Sequence, residues 1–180
     1  IERRLQARGV RLLFQNTVAR VLDGPDGRMA VMTQGEEIPA DIVVLCIGTR
    51  ANIGFLRPEE IKTGKAVIVD PHMETSVPGI FAAGDCCEGN NLESNETQII
   101  GLWANANYQG LTAGNSMSGG QKKFDGNILH NITHFMDMDF VGFGDNRIQG
   151  QTLESGSLES GLYIKAVCQG RRIVGVNILD

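Results

Sequence analysis

Asp85 is the residue in this chain best placed to do chemistry. It ends the run Thr75-Ser76-Val77-Pro78-Gly79-Ile80-Phe81-Ala82-Ala83-Gly84-Asp85. A turn at Pro78-Gly79 feeds four apolar residues suited to a strand buried on both faces. Gly84 then lets a ligand approach the backbone, and Asp85 offers acceptor oxygens at the strand's carboxyl end. Open α/β sheets bind their ligands at that edge.

Other reactive side chains carry weaker signals. Cys46 and Cys168 sit in apolar runs, where a thiol serves as a small hydrophobe. Cys86 and Cys87 follow Asp85 directly, so one of them could face a ligand. Adjacent Cα atoms about 3.8 Å apart fall below the usual disulfide range, which favours free structural thiols over a reactive thiol or a vicinal bridge. His130 and His134 are four apart, but the residues around them look strand-like and no Glu follows His130, so no metal site is expected. Asp137 and Asp139 alternate with Met136, Met138 and Phe140 as in a half-exposed strand. His72, after Pro71, reads as a loop residue. No catalytic residue can be named.

Three stretches must position these groups. The first opens on an amphipathic segment around Leu5 and Val10 that reads as the last turns of a helix. Strands are expected over residues 10–14, 18–21 and 29–33, with turns at Asp23-Gly24-Pro25-Asp26-Gly27 and Gln34-Gly35, and a buried strand over residues 42–47. The second stretch holds a strand over residues 66–70, the edge ending at Asp85, a polar loop over residues 86–98 and a helix from near Leu102 to about Met117. Trp103, Ala106, Leu111 and Ala113-Gly114 are spaced to pack that helix on a sheet, and Gly110 and Gly114 suggest close approach of another backbone. The third stretch, from about Phe124, mixes strands and turns. It includes a hairpin of Tyr163-Ile164-Lys165-Ala166-Val167 with residues 172–179 across Gln169-Gly170-Arg171.

The Asp85 segment resembles the second flavin-binding motif of the pyridine nucleotide and FAD-dependent oxidoreductases. Leu102-Trp103-Ala104-Asn105-Ala106, Gln109-Gly110, Ala113-Gly114-Asn115 and Met117-Ser118-Gly119 resemble the helix that follows it in the rubredoxin reductase and NADH oxidase branch. Ala40-Asp41-Ile42-Val43-Val44-Leu45-Cys46-Ile47-Gly48 resembles the strand that closes the NAD domain and returns the chain to the FAD domain. Two ordered motifs about forty residues apart form a specific signal. Many members carry proline where Ala51 and Ala104 stand, so the crossover and the helix start are less preorganised here.

The resemblance implies an α/β fold: parts of NAD and FAD Rossmann-like domains followed by an α+β interface domain. Residues 1–54 are expected to end the NAD(P)-binding domain, 55–120 to form the second half of the FAD-binding domain, and 121–180 to belong to the carboxyl-terminal interface domain. Neither glycine fingerprint of the family is found. Gly142-Phe143-Gly144-Asp145 lacks the third glycine and a following helical pattern. With its start at Ile1, the chain is expected to be part of a longer protein.

By the same resemblance, Asp85 beside Gly84 holds a ribityl hydroxyl of FAD. The N–H groups at the helix start, over Gly101, Leu102 and Trp103, carry roughly half a positive charge. They face the end of the flavin where negative charge collects on reduction; from the residues alone, a plain packing helix remains the alternative. Gly48 joins the candidate cofactor-binding residues. The implied activity passes electrons from NAD(P)H via FAD to a small redox protein, an oxygen species or a disulfide, in a homo-oligomer. The competing expectation is a non-enzymatic folding or dimerisation module with weak flavin binding.

Composition agrees with this reading. A net charge of -5 and 42% hydrophobic residues over 180 residues describe a globular chain able to bury a core. With no basic cluster that exceeds Glu2-Arg3-Arg4 or Gln121-Lys122-Lys123, nucleic acid is not an expected partner. Apolar runs are too short to span a bilayer, and cytoplasm is the expected compartment.

Overall fold

A computed structural model describes residues 1–24, 29–33, 35–57 and 59–180. They form two units, Ile1–Thr49 and Arg50–Asp180.

In the first unit, α1 (Glu2–Ala7) ends as Gly9 and Val10 donate their N–H groups to the carbonyls of Gln6 and Leu5 at 2.9 and 3.0 Å. This is a Schellman closure, and it agrees with the helix end read from the sequence. β1 (Arg20–Asp23), β2 (Met29–Thr33) and β3 (Glu36–Ala40) make an antiparallel meander in that order. Val31 stands opposite Val21 on one side and Ile38 on the other. Pro39 lies on the edge strand β3, where a missing N–H can face solvent. Pro25, Asp26 and Gly27 of the first expected turn, and Gln34 of the second, lie outside the described residues.

Two expected strands do not form here. Residues 10–14 are irregular; Arg11 instead makes a two-pronged ion pair with Glu36 at 2.7 and 2.8 Å. Residues 42–47 are also irregular, and Ile42, Val44, Leu45 and Ile47 are 63–87% exposed. A strand buried on both faces needs neighbours in the sheet and cover above and below. Among the described residues of this unit, the meander does not pair with that run, and α1 buries none of its own residues. Cys46 is consequently exposed, contrary to its expected place in a core.

The second unit is built around α2 (Trp103–Met117) and a five-stranded antiparallel sheet. A short hairpin, β4 (Gly89–Asn90) with β5 (Thr97–Gln98), interrupts the expected polar loop. The sheet comprises β6 (His130–His134), β7 (Asp139–Gly144), β8 (Gln151–Gly156), β9 (Tyr163–Gln169) and β10 (Arg172–Leu179), ordered β6-β7-β10-β9-β8. The expected hairpin is β9–β10, with Gln169 opposite Arg172 and Gly170-Arg171 at the bend. Residues 136–137 do not continue a strand. They form the two-residue bend between β6 and β7, closed by reciprocal Phe135 and Met138 backbone bonds at 2.8 and 3.1 Å.

Two apolar clusters support the Asp85 region. Ile61, Val67 and Cys87 form one, with Val77 and Ala82 against it. Met73, Ala113 and Phe124 form the other, with Phe81 and Ala83 against it. Residues 66–70 contribute only isolated bridges through Val67, one of them parallel to Cys87. The expected strand over residues 80–83 is likewise reduced to one bridge, Phe81 with Glu74, and Ile80 is 44% exposed. This stretch is held by side chains and turns instead of a regular ladder.

Candidate functional site

Asp85 sits on a turn anchored from both sides. Upstream, the Thr75 N–H donates to Ile80 at 2.8 Å and the Gly79 N–H to the Glu74 carboxylate at 2.6 Å, which closes the Pro78-Gly79 bend. The Ala82 N–H donates to the Met73 carbonyl at 3.1 Å. Downstream, the Val67 N–H donates to the Cys86 carbonyl and the Glu88 N–H to the Val67 carbonyl, at 2.9 Å each. Glu88 Oε1 then accepts the Lys65 and Ala66 N–H groups at 2.8 and 3.2 Å. Gly84 is buried with φ +86°, a left-handed conformation that glycine adopts without strain. Asp85, one residue on, is exposed.

The two sequence motifs meet here. A Cβ built on Gly101 lies 3.9 Å from Asp85 Oδ2, and one built on Gly84 lies 3.5 Å from the Ala106 Cβ. Leu102, extended at φ -128° and ψ 135°, is the N-cap of α2, and no side chain caps the helix start. An exposed carboxylate therefore adjoins the uncapped, electropositive end of a fifteen-residue helix. That arrangement offers an acceptor for a hydroxyl and N–H donors for a partly negative group, within one small surface.

Of the sequence candidates, Gly84, Asp85, Gly101, Leu102 and Trp103 thus come together. Gly48 lies at the end of the exposed run in the first unit, with φ +90°. Trp103 contributes its backbone to the first turn, but its side chain is 84% exposed and packs on no sheet. Leu111, also expected to pack inward, is 58% exposed, and nothing approaches the Cβ positions of Gly110 or Gly114 within 4 Å. Ala113 is buried as expected, and the rest of the buried face of α2 is Asn105, Gln109 and Thr112.

Two of these polar residues reach the site. The Asn105 side chain donates to the Ile100 carbonyl at 3.0 Å, directly before Gly101. Gln109 Oε1 accepts the Gly84 N–H at 2.8 Å. Both stand in the helix motif quoted for the family resemblance, but neither was a candidate for the site, because the inward face was expected to be apolar. The signal available was amides at i and i+4 in a helix with no charged residue.

Cys86 is exposed and Cys87 is buried, both as free thiols. Burial pushes the Cys87 thiol up to about 12, with the neighbouring Cys86 adding to the rise. Cys87 is thus an inert structural thiol. His130 and His134 lie on β6, where the His134 ring meets Asp139 at 2.8 Å on the surface. Among the described residues, no group of three metal-ligating side chains occurs, and no helix is long and apolar enough to cross a membrane. A shallow cleft of about 190 Å³, lined by Leu102, Leu129, His130, Asn131, Gly142 and Gly144, opens beside the N-cap of α2.

Residues 1–110 match the family described as pyridine nucleotide-disulphide oxidoreductase. An NADH oxidase of Enterococcus faecalis is 33% identical over 120 residues, 66% of this chain and 27% of that protein. A CoA-dependent NAD(P)H sulfur oxidoreductase of Pyrococcus furiosus is 30% identical over 120 residues, with the same coverage. The structure of an NAD-dependent persulfide reductase from A. fulgidus superposes with a TM-score of 0.88 at 25% identity, over 99% of this chain and 37% of the other. The chain therefore spans between a quarter and two-fifths of the length of these relatives.

Proposed function

The chain belongs to the pyridine nucleotide-disulphide oxidoreductase family, and from that premise we propose that it supplies part of the FAD site of an NAD(P)H-dependent oxidoreductase. The observation that carries this reading is the Asp85 carboxylate beside Gly101 at the uncapped start of α2.

The residues present fit the cofactor. Asp85 accepts a hydrogen bond from a ribityl hydroxyl, and the glycines at 84 and 101 keep side chains out of the space beside it. The Leu102 N–H is taken by the Ile100 carbonyl at 2.8 Å, so the first-turn N–H groups from Trp103 onward are the ones to meet the electron-rich end of the flavin, where fixed dipoles favour negative charge. When bound, the flavin supplies acceptance of hydride from NAD(P)H and onward transfer to an acceptor. The chain's own part is to bind and orient. In this reading residues 1–54 belong to the NAD(P)-binding domain, with Gly48 at its end. Residues 55–120 belong to the FAD-binding domain and 121–180 to an interface domain that joins copies of the protein. The acceptor is an oxygen species, a disulfide or other sulfur compound, or a small redox protein. Free thiols at Cys46 and Cys86 suit the reducing cytoplasm.

The test is the FAD affinity of the full-length flavoprotein that carries this sequence, with and without Asp85→Ala. Loss of affinity is expected, and Asp85→Asn is expected to lose less, because an amide still accepts.

A second reading concerns the 180 residues alone. They act as a folding and assembly module, because the exposed apolar run at residues 42–47 leaves the first unit without a nucleotide-binding sheet among its described residues. The isolated chain is expected to oxidise no NAD(P)H with added FAD; steady turnover would refute this.

A further inference from the structure

Gln109 is completely buried at the centre of α2, yet its side chain is polar at both ends. Its Oε1 accepts the Gly84 N–H at 2.8 Å and lies 3.5 Å from the Cys87 thiol. Its Nε2 has no partner among the described residues. A buried amide with an unmatched donor is destabilising compared with a methionine or leucine of similar shape, so packing alone does not account for a glutamine here.

Its one well-formed bond lands on the peptide that leads into Gly84. That peptide sets the plane from which the left-handed Gly84 turns the chain outward, and Asp85 is the next residue. The same helix carries Gln109 in its middle and the uncapped N–H groups at its start. A rigid link from residue 109 to residue 84 thus fixes the carboxylate relative to the helix start. Space around the amide is closed as well: a Cβ on Gly89 would lie 2.8 Å from Nε2. The glutamine is held in one pose.

We infer that Gln109 is the positioning residue of the cofactor site, acting through the Gly84 N–H to aim the Asp85 carboxylate at its ligand. This rests on the FAD reading of Asp85 given above. The acceptor oxygen is the working atom; the unmatched Nε2 is the cost of placing it there.

The experiment is a double-mutant cycle in the full-length flavoprotein, measured as FAD Kd, the visible circular dichroism of the bound flavin and the melting temperature of the apoprotein. Gln109→Met removes the acceptor and is expected to weaken FAD about tenfold and to change the dichroism of the bound flavin. In an Asp85→Ala background the same substitution is expected to change Kd less than twofold, because the residue it aims is gone. Gln109→Glu, whose carboxyl is kept protonated by burial, keeps an acceptor oxygen and is expected to hold Kd within about threefold of wild type. If Gln109→Met yields no folded protein, Gln109→Glu alone decides, and a tenfold loss there overturns the inference. A lowered melting temperature with unchanged Kd and dichroism also overturns it, as does full additivity with Asp85→Ala. An Asp85→Ala variant that binds FAD like wild type removes the cofactor reading itself, a result distinct from the others.

Discussion

Residues 42–47 and residues 80–83 look alike in sequence: each is an apolar run ending at a glycine with positive φ, +90° at Gly48 and +86° at Gly84. Their structures differ. The first run exposes Ile42, Val44, Leu45 and Ile47, whereas in the second Phe81, Ala82 and Ala83 are half-buried and Gly84 is buried. Neither is a regular strand. The second is fixed by what surrounds it: two apolar clusters, the bridge to Glu74 and the Gln109 bond. Apolar composition creates the demand for burial, and only partners in the same unit satisfy it.

The largest contrast should appear at the cysteines, one beside each glycine turn. Cys46 is exposed, whereas burial raises Cys87 from 9.0 to about 12, which leaves about a thousandfold less thiolate at a given pH. Alkylation of the native protein at pH 8 should modify Cys46 quickly and Cys87 only after unfolding, as peptide mapping will show. Equal rates would mean that the second region is no better packed than the first. The same rise has a stability sign. A thiol with a raised folded pKa contributes fully below about pH 9, and that contribution is lost as pH climbs toward 12. Urea melts should lose more stability between pH 8 and pH 11 in wild type than in Cys87→Ala.

A smaller effect separates the glycines themselves. Gly84→Ala forces an L side chain into a left-handed conformation 3.5 Å from Ala106, and should cost about 1–2 kcal/mol in denaturant unfolding. Gly48→Ala should cost less than about 0.5 kcal/mol, because an unpaired run can relax its φ. Matching losses would show that the first run is as constrained as the second. Smallest of all, limited proteolysis should cut within residues 42–47 before any site in residues 80–88, since open segments with few protecting contacts are cleaved first.

The Asp85 turn and the helix start beside it were more legible in the sequence than the elements around them. Asp85, Gly84 and the start of α2 were legible because their residue order has a mechanical meaning, and the β9–β10 hairpin announced itself through Gly170. The bend at residues 136–137 was not legible. Met136 and Asp137 take φ of 51° and 60°, a geometry in which Asn-Gly is the usual signal, and tertiary pairing of β6 with β7 overrides their preference. The inward face of α2 was legible at Ala113 but misread beside it, because Asn105 and Gln109 are buried to bond residues 100 and 84 and Thr112 bonds the Tyr108 carbonyl of its own helix; periodicity of apolar residues cannot reveal that choice. Residues 42–47 failed for a third reason, since local sequence carries no record of whether a partner strand will be present.

The central claim is that Asp85 holds the cofactor from the start of α2. Its most direct test is an FAD titration of the full-length apoprotein carrying this sequence, wild type against Asp85→Ala, followed by quenching of flavin fluorescence. Loss of a charge-assisted hydrogen bond of about 1.5–3 kcal/mol should weaken Kd roughly ten- to a hundredfold, with the apoprotein melting temperature unchanged. An equal Kd in the two proteins would contradict the account.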